Sequence, residues 1–502
     1  MTHTFSTNPK DWVFKSQRQR VSPFPNIFSM ETICNDMIHK VGFNADEILL
    51  FYKDNVHYCF LSRKSYEKVG RGVADNMHND PKLADKLVEG QKKTGKVLVD
   101  FCREVHDEVS SKTSNERLVE IFSTYEKYYK DLYSGYGWIW IFEDDYIGDL
   151  LKIVESKIED KLEAPNILDV LTKEFTAMVA TVERKALLEL GLEIEKNKEW
   201  VDLIKTGDKD KIEKEKDLYA LLKKHETDYF WVTRDYEDPI LGVPKVIERL
   251  SEYFETDIQK EYDELVETFE KGERLREKYL SELDFSQKEI DSINSMRRTA
   301  YLKELRKRFV SESLYYFDKI LLEIGKRLYL SINQVRHMKI EDMRAGLLED
   351  KDLSHELNER INLSMWHTYT GSDADVTIDE SAKELFATFC AVDKSATEFT
   401  GMPVSPGVAR GPVKIIINPD ECNTVKEGDV ILSIQVVPSF SSAIMKAGAL
   451  ICDGGHGITT HPATLAREAG IPGVIQTRFA REALKDGDMV EVDGNKGIVR
   501  KV

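Results

Sequence analysis

Two histidines lie five residues apart in the glycine-rich segment Gly455-His456-Gly457-Ile458-Thr459-Thr460-His461-Pro462. Imidazole is nucleophilic near neutral pH and passes groups onward through covalent intermediates, so His461 is a candidate carrier of a phosphoryl group. Two plainer interpretations stand beside this one. Thr460 could serve only as a helix cap with His461 idle, or His456 and His461 could be a pair of metal ligands. Because no third ligand is evident nearby, no metal site is predicted.

The sequence around His461 predicts a strand, a turn and then a helix. Residues 447–452 form an apolar run typical of a buried strand, and glycines follow where the backbone must turn. A capping residue, a first-turn proline and a glycine–proline stop mark a helix that begins near His461: Thr460, Pro462, Gly470 and Pro472. The free N–H groups and the dipole of a helix N-terminus stabilise an anion, so a phosphate on His461 suits this position.

Residues 457–472 resemble the signature of the phosphohistidine swivelling domain of the phosphoenolpyruvate-utilising enzymes. That signature consists of Gly-x-Thr-Ser-His, four small or apolar residues, Ala-Arg-Glu and Gly-Ile-Pro. Residues 401–411 are similar to the opening sequence of the same domain, and residues 486–488 and 492–494 are similar to its closing hairpin. The resemblance therefore extends over residues 400–502.

The resemblance implies that His461 carries the phosphoryl group. Thr460 stands where the family usually has Ser or Cys, which keeps a hydroxyl beside the histidine, whereas His456 replaces a glycine and Pro462 replaces a small residue. The resemblance also implies three catalytic companions and two residues of a phosphate loop, namely Thr459, Thr460, Arg467, Gly455 and Gly457. Two roles are open for Arg467: an ion pair with Glu468 that orients the loop, or direct contact with the bound phosphoryl group.

The formal net charge of −18 is confined to the first 400 residues, because residues 401–502 contain as many Lys and Arg as Asp and Glu. An acidic body of this kind has no electrostatic footprint for nucleic acid, so none is expected as a partner. No apolar run reaches the roughly 18 residues of a membrane helix, and the N-terminus lacks the features of a signal peptide. We therefore expect a cytoplasmic protein without membrane contact.

Changes in sequence character predict a multidomain protein. The expected fold class is a mostly α-helical N-terminal region followed by a C-terminal α/β swivelling phosphohistidine domain, the latter by resemblance. Two strand-like runs at residues 47–52 and 57–62 precede a long stretch with apolar residues at three- and four-residue steps. The predicted divisions are an N-terminal arm with a small hairpin element over residues 1–79, a helical acceptor-binding domain over 80–393, a hinge linker over 394–400 and the swivelling domain over 401–502.

Two aromatic clusters in the helical region are candidates for an acceptor pocket. They belong either to the bundle core and its helix junctions or to a binding site, since a helical domain holds the acceptor in similar phosphotransferases. The second cluster resembles a His…Tyr-Phe-Trp segment of such domains. If the clusters line a site, His225 or Asp145 would be the general base that removes the acceptor proton. The candidate pocket residues are Trp138, Trp140, Asp145, His225, Tyr229 and Trp231.

The sequence contains no glycine-rich nucleotide-binding loop of the ATP-grasp or Gly-x-x-x-x-Gly-Lys-[Ser/Thr] type. The resemblance therefore implies a separate ATP-grasp subunit that transfers the β-phosphoryl group of ATP to His461, with Mg²⁺ and ATP bound mainly by that partner. The histidine domain would deliver the group to a small-molecule acceptor. The alternatives are a non-catalytic scaffold or regulatory partner of a kinase, and a component of a phosphoenolpyruvate synthase-like system. The acceptor, the oligomeric state and the choice between ATP and phosphoenolpyruvate as donor do not follow from the sequence.

Overall fold

The computed structural model describes residues 5–174, 179–234, 236–237, 239–391, 393–436, 440–455 and 460–502. Contacts within the chain divide it into two compact units. The first unit comprises residues 1–73, 137–145 and 325–502, and the second comprises residues 74–136 and 146–324.

Helices dominate the chain between the first and the last groups of strands. In chain order they are α1 (Pro23–Asn35), α2 (Ile38–Val41), α3 (Arg63–Asn79), α4 (Leu83–Glu108), α5 (Asn115–Ser134), α6 (Ile139–Glu155), α7 (Ala164–Thr172), α8 (Val179–Glu195), α9 (Lys198–Thr206), α10 (Lys209–Lys214), α11 (Lys216–Tyr229), α12 (Val243–Tyr253), α13 (Ile258–Glu282), α14 (Gln287–Leu328), α15 (Ile332–Val335), α16 (Ile340–Glu349), α17 (Ser354–Asn362), α18 (Glu380–Phe389), α19 (Ser441–Ile444), α20 (His461–Glu468) and α21 (Ala480–Ala483). None of the helices in the described ranges combines the length and the apolar character that a bilayer crossing requires.

The strands all belong to the first unit. They are β1 (Trp12–Gln19), β2 (Glu47–Lys53), β3 (Val56–Ser62), β4 (Ser364–Tyr369), β5 (Asp375–Thr377), β6 (Glu398–Thr400), β7 (Met402–Ser405), β8 (Val408–Ile415), β9 (Val430–Ser433), β10 (Ala449–Cys452), β11 (Gly473–Ile475), β12 (Met489–Asp493) and β13 (Ile498–Lys501). Short 3₁₀ turns lie at Pro9–Asp11, Lys161–Glu163 and Pro419–Thr424. The fold class predicted from the sequence, a mostly helical N-terminal region followed by a C-terminal α/β domain, is confirmed.

The first five strands form an antiparallel sheet in the order β1-β3-β2-β4-β5. β2 and β3 form the predicted hairpin, whose turn residues Asp54 and Asn55 both have positive φ (51° and 61°), as a type I′ hairpin turn requires. The pairing of β1 with β3 shifts register between Phe14 and Ser16, so Lys15 lies in a β-bulge. One face of this sheet packs on α18 through aromatic contacts of Phe51 and Phe60 with residues of that helix.

The other eight strands form a mixed sheet in the order β6-β13-β12-β8-β9-β10-β11-β7. Its centre, from β8 to β11, is parallel, and the flanking pairs are antiparallel. The inner strands β9, β10 and β11 are buried along their whole length and almost entirely apolar, because both of their faces are covered. One face packs against α19 and α20 around Leu450, Cys452 and Ile475, and the other packs near α21 around Ile451 and Val474. We refer to residues 398–502 as the C-terminal domain.

The described secondary structure of the second unit consists of helices joined by turns and loops. Its helices α8, α9, α11, α12 and α13 enclose one apolar core, which includes Leu187, Leu188, Ile204, Leu218, Leu222, Val246 and Leu250. A second contact zone joins α5 to α14, where the rings of Tyr125 and Phe317 stack at a centroid distance of 4.0 Å. The amphipathic spacing in the sequence is thus satisfied by helix-on-helix packing.

The structure divides the chain differently from the predicted boundaries 1–79, 80–393, 394–400 and 401–502. The arm over the first residues includes a strand, β1, and β2 pairs with β4 in a register that joins Leu49 to His367. This pairing places residues 325–393 in the first unit instead of the helical one. The linker is also shorter than predicted, because β6 (Glu398–Thr400) pairs with β13.

Candidate functional site

The loops that follow three parallel strands meet at one edge of the C-terminal sheet. Ile451 of β10 stands opposite Leu432 of β9 and Val474 of β11, so the carboxyl ends of these strands are level. In open α/β sheets, ligands bind at the carboxyl ends of parallel strands. The predicted histidine turn follows β10 directly, so it begins at this edge.

Asp453 anchors the edge immediately after β10. Its side chain is 1% exposed and accepts hydrogen bonds from Thr477 Oγ1 (2.7 Å), the Ala480 N–H (2.8 Å) and the Arg481 N–H (3.0 Å). Burial raises the pKa of Asp453 to about 6, although these donors act in the opposite direction. The carboxylate therefore ties the loop after β10 to the loop after β11 and to the first turn of α21.

The backbone after Asp453 is held on both sides. The Gly454 N–H donates to the Ile434 carbonyl at 3.0 Å, and the Gly454 carbonyl accepts from the Gln476 N–H at 3.2 Å. Gly455 has φ of +86°, in the left-handed region that favours glycine. Three predicted site positions, His456, Gly457 and Thr459, lie outside the described residues.

Helix α20 begins at His461, as the sequence predicts. Thr460 occupies the N-cap position with extended backbone (φ −77°, ψ 157°), and its carbonyl accepts the Thr464 N–H at 2.9 Å. Pro462 fills the first turn, while Ala463 and Ala466 are fully buried against the sheet. The first-turn N–H groups of a helix have no intrahelical partner, so this end of α20 favours an anion next to the His461 backbone.

Arg467 lies at the last turn of α20, away from the anion-favouring end. Its Nη1 donates to the Val404 carbonyl of β7 at 3.2 Å, which ties the helix to the neighbouring strand. This contact gives Arg467 a positioning role in the described structure. The two roles predicted for Arg467, an ion pair with Glu468 and contact with a phosphoryl group, stay predictions.

The six candidate pocket residues are divided between the two units. Trp138, Trp140 and Asp145 belong to the first unit, whereas His225, Tyr229 and Trp231 belong to the second. Trp138 is fully buried and its ring lies 4.8 Å from that of Phe142, as expected of a core residue. The structure therefore does not bring the six residues together within either unit.

Trp140 lies in a charged cluster of the first unit, and Asp145 lies nearby: burial, Asp144 and then the charge of Asp145 raise the pKa of Tyr66 in the same cluster. The buried Lys15 ammonium is 5.8 Å from the Trp140 ring, 4.4 Å from the Tyr66 ring and 3.8 Å from Asp144. Tyr66 donates a short hydrogen bond to Asp144. Burial lowers the pKa of Lys15, and Asp144 counteracts that effect.

His225 belongs to a buried ion-pair network in the second unit. Its Nε2 lies 3.0 Å from Oε1 of Glu183. The two carboxylate oxygens of Glu183 each accept one hydrogen bond from Arg249, at 2.7 Å (Oε1) and 2.9 Å (Oε2). His225 is 5% exposed and Glu183 is 2% exposed. This arrangement gives His225 a structural role in the buried network, and its role as a general base stays a prediction.

Replacing Glu183 with glutamine is expected to destabilise the protein by about 2–3 kcal/mol, because Arg249 and His225 lose the charge that they share. Burial raises the pKa of Glu183, but hydrogen bonds from His225 and Arg249 outweigh it and hold the pKa below the ordinary 4.5. The stabilisation is therefore present above pH 4.5 and is lost as the pH falls through the folded-state pKa.

The measurement is the free energy of unfolding in urea at neutral pH and at acidic pH. Glu189→Gln on the same helix is the matched control, since Glu189 is exposed and pairs only with the surface residues Lys185 and Tyr262 in its described contacts. That variant should stay within about 0.5 kcal/mol of the wild type. Equal losses in the two variants would contradict the role assigned to the network.

The described residues at the strand edge do not fit a magnesium site. No group of three or more His, Cys, Asp or Glu among the described residues could hold a metal ion. Asp453 is buried with three donors on its oxygens, so it has no geometry for a hydrated Mg²⁺. Whether His456 and His461 act as a ligand pair lies outside the described residues.

If the predicted phosphoryl carrier is correct, replacing Gly455 with alanine is expected to reduce phosphoryl uptake by about tenfold, because alanine is strained at φ +86° and relief of that strain displaces the turn before His461. A Cβ at this position would lie in ordinary van der Waals contact with Pro462 Cγ at 3.4 Å and Ile475 Cδ1 at 3.5 Å, so the strain is in the backbone. Gly487→Ala is the matched control: Gly487 has the same φ of +86°, but its Cβ would meet nothing within 4 Å. Both variants should lose about 1–2 kcal/mol of stability through backbone strain. Equal uptake in both would show that the Gly455 turn is not part of the site.

These features define an α/β domain in which a histidine begins a helix at the carboxyl edge of parallel strands. Residues 425–497 match the family described as PEP-utilising enzyme, mobile domain. Residues 425–497 are therefore similar to the mobile domain of the phosphoenolpyruvate-utilising enzymes, as the sequence resemblance implies.

Several curated proteins are similar to this part of the chain. A probable phosphoenolpyruvate synthase of Archaeoglobus fulgidus is 43% identical over 99 residues, which are 20% of this chain and 13% of the relative. The uncharacterized phosphotransferase YvkC of Bacillus subtilis is 34% identical over 158 residues, which are 31% of this chain and 19% of the relative. The chain thus matches less than a fifth of the length of these relatives.

Among solved structures, aconitase X of Thermococcus kodakaraensis is similar over 21% of this chain and 99% of its own chain. The sequence identity is 19% and the TM-score is 0.17. A TM-score of this size does not establish a common fold.

Proposed function

We propose that this chain is a phosphotransferase component in which His461 carries a phosphoryl group between a donor and an acceptor. The observation that supports it most is that α20 begins at His461 at the carboxyl edge of β9, β10 and β11, within the segment that matches the mobile domain. The helix end favours the phosphoryl dianion, and the imidazole supplies the nucleophilic nitrogen.

The donor in this proposal is ATP bound by a separate ATP-grasp-type subunit. Attack by His461 on the β-phosphorus breaks its bond to the oxygen of AMP and forms the phosphorus–nitrogen bond, and water then cleaves the bond between the β- and γ-phosphoryl groups, so that AMP and phosphate result. Mg²⁺ neutralises phosphate charge at the donor site. Its ligands belong mainly to the partner. Asp453 is not offered as a ligand, because its carboxylate oxygens already accept three hydrogen bonds within the domain.

The acceptor is a small molecule with a hydroxyl or carboxylate oxygen. In the second transfer the phosphorus–nitrogen bond breaks and a phosphorus–oxygen bond forms, and the proton of a hydroxyl acceptor ends on the released imidazole. His461 thus returns to its starting state, and the whole cycle consumes ATP, the acceptor and one water molecule.

The test uses the purified full chain, Mg²⁺ and an extract of the source cells, with ATP labelled at either the β or the γ position. Label that enters the chain from the β position, and only when extract is present, would support the carrier with a separate donor subunit. Label from the γ position would overturn the dikinase-type donor. Absence of label, under conditions in which a phosphoenolpyruvate synthase becomes labelled, would overturn the carrier and favour a non-catalytic scaffold.

A further inference from the structure

Charged and aromatic side chains of two helices meet in the second unit. Arg308, Glu312 and Tyr316 follow each other at four-residue steps along α14, a spacing that places side chains on one side of a helix. Helix α4 of the same unit faces them. Arg103 Nη2 donates to Glu312 Oε2 at 3.1 Å, and His106 Nδ1 lies 3.0 Å from the Tyr316 carbonyl oxygen. These contacts gather the side chains at one place.

One buried carboxylate holds two guanidinium groups there. Glu312 is 3% exposed; its Oε1 accepts from Arg308 Nε at 2.8 Å, and its Oε2 accepts from Arg103 Nη2. Both arginine side chains are 51% exposed, and neither pairs with a second carboxylate among the described residues. Because one carboxylate offsets the charge of only one guanidinium group, the half-exposed trio keeps a positive charge.

Aromatic rings restrain the planes of both guanidinium groups. The Arg103 group lies 5.3 Å from the centre of the Tyr316 ring, and the Arg308 group lies 5.5 Å from that of Trp231. Burial raises the pKa of Tyr229, and the charge of Arg308 acts against that shift, so the Tyr229 hydroxyl also lies within the field of Arg308. Each of the two arginines is thus held by a carboxylate and by a ring, which is more restraint than a single surface ion pair provides.

The loop that carries Trp231 is fastened to α14 through Arg234. Ser311 Oγ donates to the Arg234 carbonyl at 2.8 Å, and Arg234 Nη2 donates to Asp318 Oδ2 at 2.5 Å. The Arg234 N–H donates to the Trp231 carbonyl at 3.1 Å. Since Arg234 is 6% exposed, its ion pair is shielded from water. Arg234 is therefore a positioning residue that keeps the Trp231 ring against Arg308.

The two guanidinium groups offer two separate sets of donors. Arg308 engages Glu312 through Nε, which leaves the N–H groups of Nη1 and Nη2 without a partner in the part of the chain that the structure describes. Arg103 engages Glu312 through Nη2, which leaves its N–H groups on Nε and Nη1. A carboxylate has two oxygens and fills one such fork. A phosphate monoester presents three terminal oxygens and up to two negative charges, so it bridges both forks.

We propose that Arg103 and Arg308 form a binding site for the phosphate group of a small phosphate monoester. Each guanidinium group donates to phosphate oxygens, Glu312 keeps the two groups side by side, and the two rings hold their planes. The excess positive charge of the trio favours an anion over a neutral ligand. The site lies in the second unit and involves no atom of His461, so it goes beyond the proposed carrier function.

The experiment is isothermal titration calorimetry of the full chain with glycerol 3-phosphate at low ionic strength. Inorganic phosphate, lactate and glycerol are titrated in parallel. We expect saturable binding of both phosphates, binding of lactate that is weaker by about tenfold or more, and no binding of glycerol. Arg103→Ala and Arg308→Ala should each weaken the binding of glycerol 3-phosphate by about tenfold or more, because each removes charge-assisted hydrogen bonds. Arg308→Lys keeps the charge without the fork and should weaken binding less.

Arg274→Ala is the matched control. Arg274 is an exposed arginine of the same unit that also donates to a glutamate four residues away, at 3.2 Å. That glutamate, Glu270, is 61% exposed and holds no second arginine in its described contacts. The control should bind glycerol 3-phosphate as tightly as the wild type does. Urea unfolding of every variant shows whether it is folded, and Arg308→Lys carries the comparison if an alanine variant is not.

Three results would overturn the site: no saturable binding of either phosphate, lactate binding as tight as phosphate binding, or undiminished binding in both alanine variants. Binding of inorganic phosphate without binding of glycerol 3-phosphate would overturn the ester as the ligand. Since the titration does not involve labelling of His461, failure of the carrier would leave this site standing, and failure of the site would leave the carrier standing.

Discussion

Replacing His461 with alanine is expected to abolish phosphoryl uptake by this chain. The imidazole nitrogen is the atom that forms the bond to phosphorus in the proposed mechanism, so the variant lacks the atom that accepts the phosphoryl group. The free energy of unfolding should change by less than about 1 kcal/mol, because the residues that anchor α20 to the sheet are Ala463 and Ala466. The measurement is the amount of label transferred from β-labelled ATP in the presence of Mg²⁺ and cell extract.

His456→Ala is the control for this experiment. If His461 alone is the carrier, this variant should take up label to at least a substantial fraction of the wild-type level. If the two histidines instead form a metal pair, both variants should lose a bound metal and show the same phenotype. Full labelling of the His461→Ala chain would contradict the carrier directly.

Replacing Asp453 with alanine is expected to destabilise the protein by about 2–4 kcal/mol and to lower phosphoryl uptake together with stability. The substitution leaves the Thr477 hydroxyl and the N–H groups of Ala480 and Arg481 without their acceptor. It also releases the loop after β11 from the turn that leads to His461. Urea unfolding and the labelling assay measure the two effects.

The pH dependence of this variant is a sharper test. The pKa of Asp453 is raised from 3.8 to about 6 in the folded chain, so between these values the folded state binds more protons than the unfolded state. The contribution of Asp453 to stability therefore falls as the pH rises from about 4 to about 6, by up to about 3 kcal/mol. The difference in stability between wild type and Asp453→Ala should shrink over that range.

Asp493→Ala is the matched control for both experiments. Asp493 also accepts two backbone N–H groups, from Asn495 and Lys496, but it does so in the turn between β12 and β13. Its pKa is lowered, chiefly by the hydrogen bond from Lys496, so the pH dependence should have the opposite sign. Loss of uptake in Asp493→Ala as large as that in Asp453→Ala would show that the effect is a general loss of folding.

Local patterns in the sequence were sufficient to predict the elements around His461. The apolar run before the glycines is β10 (Ala449–Cys452), and the cap and proline signals mark the start of α20. The closing hairpin is also found, as β12 and β13. These predictions succeed because each depends on residues within one or two turns of each other.

Long-range pairing is the part that the sequence did not reveal. β2 and β4 are separated by more than 300 residues but pair over six positions, and nothing in either strand specifies its partner. The same limit explains the aromatic clusters, because Trp138 and Trp231 follow similar local patterns but lie in different units. Their packing depends on which helices and strands meet, which local spacing does not encode.

Asp453 was overlooked for a different reason. It lies between a buried strand and a glycine turn, where an aspartate is common as a solvated loop residue. The available signal was its position. An acidic residue directly after the last residue of a strand in a parallel sheet lies at the carboxyl edge, where ligands bind. Its three hydrogen-bond donors come from residues 477–481, more than 20 positions away, so its burial could not be read locally.

Site mapping of the phosphoryl group on the intact chain is the most direct test of the carrier. The full chain would be incubated with Mg²⁺, β-labelled ATP and source-cell extract, re-isolated at alkaline pH and fragmented for mass spectrometry. We expect one acid-labile, base-stable phosphoryl group, located on His461. A phosphoryl group that is stable in acid, or one that maps to a serine, threonine or different histidine, would contradict it.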